Sequence, residues 1–409
     1  MNNQRTTNRF FHEITLRNFL SFGPQPTAVQ CNALNVFIGP NASGKSNFLE
    51  AIGLLASCPH NLQDAIRHGG GIQEWLWKGE EVTPVASIEA LVDSRRTGSP
   101  LRYQLQFTEV RQRMEIIREL LENARTSSGR AKTSTFYLYE KGRGVLSTRV
   151  ARNAKTFQSA ATRRPVAVGD LEPHQSILAQ RRDPAAYPEL TFLADAFGQI
   201  RLYREWNVGR SSALRAPQKT DLPEDFLLED AANLALVLNE LHHHPQAGKL
   251  ITAYLRKFYE TAESYAVRVV GGTVQVVLHE KGPGSPVIPA TRLSDGTLRY
   301  LCLLAVLCHP TPPPVVCIEE PEIGLHPDMI ATVAELLRGA SKRTQLFVTT
   351  HSDGLVDALT DQPDTVVVCE KRDNGTQLKR LDPEKLKDWL KRYSLGELWM
   401  KGEIGGQRW

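Results

Sequence analysis

The chain has no apolar run long enough to cross a membrane. The longest, Leu301 to Cys308, falls well short of the roughly 18 residues a span requires. Its start, Met1-Asn2-Asn3-Gln4-Arg5, is polar and has no apolar secretory core. These two absences lead to the expectation of a soluble, cytoplasmic protein without a membrane partner. The six cysteines, Cys31, Cys58, Cys302, Cys308, Cys317 and Cys369, form no CxxC pair, and four lie in apolar runs, so neither a disulfide framework nor a zinc site is indicated. His242-His243-His244 would point in different directions on a helix, which reads as a solvated helix end rather than a metal site. There is no internal repeat, and Pro310 to Pro314 is the nearest approach to low complexity.

What is present is an ordinary globular composition: 409 residues, 41% of them apolar, enough for two or three lobes around a substantial core. The net charge of +4 is unevenly spread. Residues 101–220 carry 21 Lys and Arg against 11 Asp and Glu, leaving the rest of the chain acidic. Such a concentration suits a polyanion such as DNA or RNA, because neutralised phosphates release counterions. A solvated arginine-rich surface fits equally well, since no aromatic residues interleave to form a stacking platform.

Periodicity outlines the organisation. Phe11 to Phe22 alternates like a strand and ends at Gly23-Pro24. Ala86–Val92 and Leu101–Phe107 predict a hairpin with a Thr97-Gly98 turn, and Thr135–Tyr139 with Gly144–Leu146 predicts another. Between them Met114 to Leu121 reads as a helix. Gln175 to about Leu255 reads as mostly helical around a loop at Gly209 to Pro223. Strands follow at Ala266–Val270 and Val274–Leu278. Val315–Ile318 and Gln345–Thr350, all but continuously apolar and flanked by helices, predict parallel strands covered on both faces. Val366–Glu370 and Leu378–Leu381 predict a last hairpin around Asn374-Gly375.

Residues 39–46 read Gly-Pro-Asn-Ala-Ser-Gly-Lys-Ser, a complete GxxxxGK[ST] phosphate loop between the strand-like Leu34–Ile38 and a helix starting near Lys45. In such a loop the glycines let backbone N–H groups turn toward phosphate oxygens, and the helix aims its positive end there. Lys45 would neutralise the β and γ phosphates, and the Ser46 hydroxyl would hold Mg²⁺, a hard ion that takes oxygen ligands. The expected ligand is therefore a nucleoside triphosphate with magnesium.

The second half supplies further parts. Val315–Ile318 runs into Glu319-Glu320, two carboxylates at a strand tip. The first would meet the Mg²⁺ shell and the second would act as general base toward the attacking water. Glu319 stands where Asp is usual, which leaves the division of roles between the two open. Leu293-Ser294-Asp295-Gly296-Thr297 precedes the apolar helix Leu298–Leu307 and fits either a phosphate-binding turn or a plain helix cap. Thr349-Thr350-His351-Ser352 places a histidine at the end of the next strand; alone it reads as structural, but as the fourth element in this order its neutral ring would hydrogen-bond the γ-phosphate.

Together with Ile14–Phe22, Gly44–Ile52 and Ile318-Glu319-Glu320-Pro321-Glu322-Ile323-Gly324-Leu325-His326-Pro327, these segments make the chain resemble an AAA-family, ABC-type ATPase of the SMC/RecF-like group. The last segment is similar to ATPases related to overcoming-lysogenization-defect nucleases. The match spans roughly residues 11–60 and 290–356. The resemblance implies an α/β fold: an ABC-type P-loop core of mostly parallel sheet plus an antiparallel β-subdomain, with an inserted β-hairpin and helical lobe. The expected division is a discontinuous core at 1–108 and 225–409 with a basic insertion at 109–224.

The resemblance also implies ATP and Mg²⁺ as cofactors, Gly39, Asn41, Gly44, Lys45, Ser46 and Asn47 around the nucleotide, and Ser46 and Glu319 toward the metal. Lys45, Glu320 and His351 would be catalytic, and Ser294 and Gly296 would bind nucleotide held by a second subunit. Gln175 is a candidate for the family's metal-reaching glutamine, with an ordinary surface glutamine as the other reading. His326 lies where the family touches its partner, or simply in a turn ending at Pro327.

Departures are clear. Heptad arms and a CxxC hook are missing, and after His351 the clustered acids of a Toprim nuclease are missing too. The expectation is an ATP-driven homodimer, or higher oligomer, acting in nucleic-acid transactions or anti-phage defence with a separately encoded effector. A slow scaffold that cages a partner and, more remotely, a transporter motor are the alternatives.

Overall fold

The computed structural model describes residues 9–79, 83–94, 99–124, 134–140, 142–150, 160–166 and 170–406. The Thr97-Gly98 turn and part of the basic stretch 101–220 lie outside this set.

A six-stranded sheet forms the centre. Its order is Arg201–Tyr203, Val315–Glu319, Gln345–Thr349, Leu34–Ile38, Val366–Arg372, Gly375–Arg380, parallel except for the last strand. Leu34–Ile38 and Gln345–Thr349 are buried at every position, as strands covered on both faces must be. Alternate residues of each strand feed two different cores. Val36, Ile38, Val316 and Ile318 pack with the helices Asp295–Leu307 and Ile330–Ala340, whereas Phe37, Val315, Cys317 and Phe347 pack with the helix Lys45–Ser57.

The second core is closed by an eight-stranded antiparallel sheet, ordered Thr27–Gln30, Phe11–Arg17, Ala86–Val92, Leu101–Val110, Arg113–Asn123, Thr135–Glu140, Arg143–Val150, Ala160–Val166. Ala86–Val92 alternates buried and half-buried residues, the pattern of a sheet with one face on a core. Buried Gln345 ties the two sheets together: it accepts from the Phe11 N–H at 2.7 Å and donates to the Phe11 carbonyl at 2.8 Å. A third, small sheet contains Ala262–Val270, Thr273–Glu280, Gln218–Lys219 and Val287–Pro289.

Two expectations are corrected. Met114 to Leu121 is not a helix but part of the strand Arg113–Asn123. A bulge opposite Gln106 and Phe107 shifts the strand's phase, so Met114 and Ile116 face inward before it and Glu119 and Leu121 after it. That phase shift mimics helical spacing in the sequence. The stretch from Gln175 to Leu255 holds four helices, but also the strand Arg201–Tyr203, the edge of the central sheet. A three-residue strand is too short to leave a periodic signature. The division expected at 108/109 falls within the strand Leu101–Val110, whose neighbour on the other side of that point belongs to the same sheet.

Candidate functional site

Sheet order converges the motifs. Gln345–Thr349 lies between Val315–Glu319 and Leu34–Ile38, with Glu319 opposite Thr349 and Thr349 opposite Phe37. All three strands are parallel, so their carboxyl ends open side by side onto residues 39–46, Glu319-Glu320 and His351.

The loop 39–46 is held from below by the C-terminal hairpin and the turn after Arg17. A Cβ on Gly44 would sit 2.3 Å from Thr376 Oγ1 and 2.7 Å from Ser21 Oγ, and Gly44 has φ +99°, so only glycine fits there. Thr376 Oγ1 donates to the Ser43 carbonyl at 3.0 Å and lies 2.7 Å from Ser21 Oγ. Ser21 Oγ in turn accepts from Asn47 Nδ2 at 2.8 Å. Gly44 caps the helix Lys45–Ser57 without any side-chain acceptor, which suits first-turn N–H groups that receive an anion.

Lys45 is buried and folds back, donating to the Gly39 carbonyl at 2.8 Å and the Pro40 carbonyl at 3.0 Å. Burial holds its ammonium below the usual lysine value, while Cys369, Glu320 and Glu319 act the other way. Asn41 is exposed at the loop tip. Ser46 Oγ donates to Glu319 Oε2 at 3.0 Å. Burial pushes the Glu319 carboxyl above the usual carboxylate range, against the opposing pull of Ser46 and Arg204. A serine hydroxyl beside a carboxylate is an oxygen-only donor pair, which fits Mg²⁺ with part of its water shell retained.

Glu320 sits at φ +46°, a left-handed backbone that a non-glycine residue adopts at a cost. Its N–H donates to the Thr349 carbonyl at 3.0 Å, and Oε1 lies 3.7 Å from His351 Nε2. Burial and the Lys45 charge lower the His351 pKa, with Glu320 opposing, so the ring is neutral near pH 7. A cleft of about 310 Å³ opens beside the acids and is lined in part by Arg204, Arg299, Glu319 and Glu320.

Ser294 and Gly296 lie at the start of the helix Asp295–Leu307, whose Arg299 lines that cleft. Ser294 caps the helix Asp295–Leu307, its Oγ accepting from Thr297 N at 3.1 Å. Gly296 packs so closely on the Gly324 turn that a Cβ would sit 2.7 Å from the Gly324 carbonyl. The structure does not bring Gln175 to the site. Its neighbour Ser176 lies 3.3 Å from Tyr103 Oη, which donates to Cys58 at the far end of the phosphate-loop helix, about 20 Å from Lys45 at 1.5 Å per residue. His243 and His244 hydrogen-bond backbone at a helix end and the next helix start, as a solvated helix end does.

Three contributors had no role assigned from the sequence. Arg204, one residue past the edge strand, lies 3.9 Å from Glu319 and also pairs with Glu50. Glu322 accepts from the Thr350 hydroxyl and from the His351 N–H at 3.1 Å. Thr376 is fully buried behind the Asn374-Gly375 turn. Among the described residues no group of three or more His, Cys, Asp or Glu could hold a metal ion, and no helix is long and apolar enough to cross a membrane.

Residues 34–357 match the family described as "AAA domain, putative AbiEii toxin, Type IV TA system". The chain belongs to this AAA family. Membership makes it an ATPase-type protein that uses nucleotide. No curated protein matches the sequence. Among solved structures, the chain is similar to an Smc head bound to the C-winged helix domain of ScpA, with TM-score 0.56 and 14% identity over 92% of this chain and 99% of that one. It is also similar to an Smc head domain bound to the C-terminal domain of ScpA, derived from Pyrococcus furiosus (TM-score 0.56, 13% identity, 93% and 98% coverage). The Smc head domain with a coiled coil and joint from Pyrococcus yayanosii gives TM-score 0.53 at 11% identity, covering 93% and 99%. At these identities the likeness establishes the fold, an ABC-type P-loop ATPase core.

Proposed function

We propose that the chain is an ATP-hydrolysing homodimeric switch. The observation that carries this reading is the Ser46–Glu319 hydrogen bond beside the Glu320–His351 pair, with the exposed Ser294 starting the helix Asp295–Leu307. On this reading Lys45 leaves the Gly39 and Pro40 carbonyls for the phosphates, and Asn41 and Asn47 line the nucleotide. Ser46 and Glu319 hold Mg²⁺, which when bound neutralises charge on the β and γ phosphates. Glu320 orients a water and takes its proton, and neutral His351 donates to the γ-phosphate. Ser294 and Gly296 serve the nucleotide of a second copy, so a two-fold pair encloses two nucleotides and opens after hydrolysis.

We infer a role in defence or nucleic-acid transactions, with a separately encoded effector. Support comes from the family description, the sequence likeness to ATPases of overcoming-lysogenization-defect nucleases, and the basic segment 109–224, taken as an elaboration that lends the strand Arg201–Tyr203 to the central sheet. The test is ATP turnover and molar mass for wild type and Glu320→Gln. Lost turnover with an ATP-dependent doubling of mass supports the switch; unchanged turnover in the variant removes Glu320 as base. Wild-type turnover too slow to open the pair would favour the scaffold reading.

A further inference from the structure

We propose that Arg215 is a positioning residue that fixes the Leu293–Gly296 turn in the shape needed to receive a second chain's nucleotide, an inference that rests on the homodimer reading above. Arg215 is 8% exposed. It comes from the loop after the central sheet's edge strand and reaches about 80 residues along the chain. Its Nε donates to the Val208 carbonyl at 2.9 Å. One terminal nitrogen donates to the Leu293 carbonyl at 2.6 Å and the Ala290 carbonyl at 3.4 Å, and the other pairs with the Asp295 carboxylate.

These contacts bracket Ser294: the carbonyl immediately before it and the carboxylate immediately after it are both gripped by one planar fork. A buried guanidinium is costly unless its donors are satisfied, so the turn and the arginine stabilise each other's geometry. With Leu293 and Asp295 fixed, Ser294 is held extended (φ −68°, ψ 158°) as the cap of the helix Asp295–Leu307. Ser294 and Asp295 are themselves exposed, so the fixed start of that helix stays open to a phosphate from outside the chain. Lysine cannot replace the fork, because a single ammonium cannot span Val208, Leu293 and Asp295 at once. The Asp295 side chain is 64% exposed, so the pair can be cut from the solvent side with little effect on the core.

The experiment compares Arg215→Lys and Asp295→Asn with their parent, each in a Glu320→Gln background. Hydrogen exchange of residues 290–300 and of the helix Lys45–Ser57 is followed in the free chain. Affinity for a fluorescent ATP analogue and ATP-dependent mass are then measured. The inference expects faster exchange at 290–300 alone, analogue affinity within about twofold, and dimerisation weakened at least tenfold, with Arg215→Lys affected despite its retained charge. Unchanged exchange at 290–300, or unchanged dimerisation when exchange rises, overturns it. If Arg215→Lys fails to fold, Asp295→Asn decides alone. Should the Glu320→Gln parent itself stay monomeric with ATP, the homodimer reading fails and the role of Arg215 falls with it; a dimeric parent with indifferent variants sinks this inference only.

Discussion

Ser46 and Glu319, 273 residues apart in the chain, meet through a hydrogen bond of 3.0 Å. One begins the phosphate-loop helix and the other ends a central strand, so this contact defines where a hard cation would sit. Replacing Ser46 by Ala removes one of two oxygen donors. Titration with ATP is expected to show the affinity advantage of magnesium over EDTA conditions falling about tenfold or more, with turnover reduced in parallel. A Ser46→Ala variant with undiminished magnesium dependence would remove this pair from the metal site.

Glu320→Gly separates chemistry from strain. The φ of +46° costs a non-glycine residue about 1 kcal/mol, which glycine relieves. Denaturant unfolding is expected to show a gain in stability of that order while turnover falls by about 10² or more, the usual loss on removing a general base. A fall in stability would mean that the Glu320 side chain holds its own backbone in place.

Thr376→Val tests the support beneath the loop. The buried Ser43 carbonyl loses its donor and Ser21 a neighbour, a defect of about 1–3 kcal/mol. Nucleotide affinity is expected to drop about fivefold or more with kcat at saturation largely retained. A pure kcat effect would place Thr376 in the chemistry instead.

His351 sets a pH limit. Its folded-state pKa lies below the ordinary 6.5 because of burial and Lys45, so the unfolded chain takes the proton first. Stability from this group is therefore intact above pH 6.5 and declines as the pH falls through 6.5 toward the folded value. The acid limb of kcat/KM, which reports the free enzyme, is expected below pH 6.5 and should disappear in His351→Gln. Activity that instead falls as the pH rises through this range would show that His351 works charged.

For the basic segment, duplex DNA or RNA binding is expected to weaken linearly on a log–log plot against salt, with a slope near 0.9 per phosphate contacted on duplex DNA. Filter binding across a salt series measures it. Absent or salt-insensitive binding would assign that surface to a protein.

Much of the site was legible because phosphate chemistry demands fixed residue types at fixed spacing. The loop 39–46, the acid pair and the strand-end histidine all follow that rule, and parallel strands brought them together. Arg204 and Thr376 were invisible because their roles depend on sheet order, which places a three-residue edge strand beside Val315–Glu319 and a distant hairpin under Gly44. For Gln175, sequence position did not reveal that its neighbour Ser176 lies beside the far end of the phosphate-loop helix. In the strand Arg113–Asn123, one bulge sufficed to disguise alternation as helical spacing.

The most direct measurement is intersubunit crosslinking of Asn41→Cys on one chain to Ser294→Cys on another, in the Glu320→Gln background. The six native cysteines are buried, so a short bifunctional reagent addresses the new pair. Covalent dimers that form with ATP and vanish without it are expected if each chain's Ser294 turn covers its partner's phosphate loop. Failure to crosslink with ATP, or equal crosslinking in its absence, would contradict that arrangement.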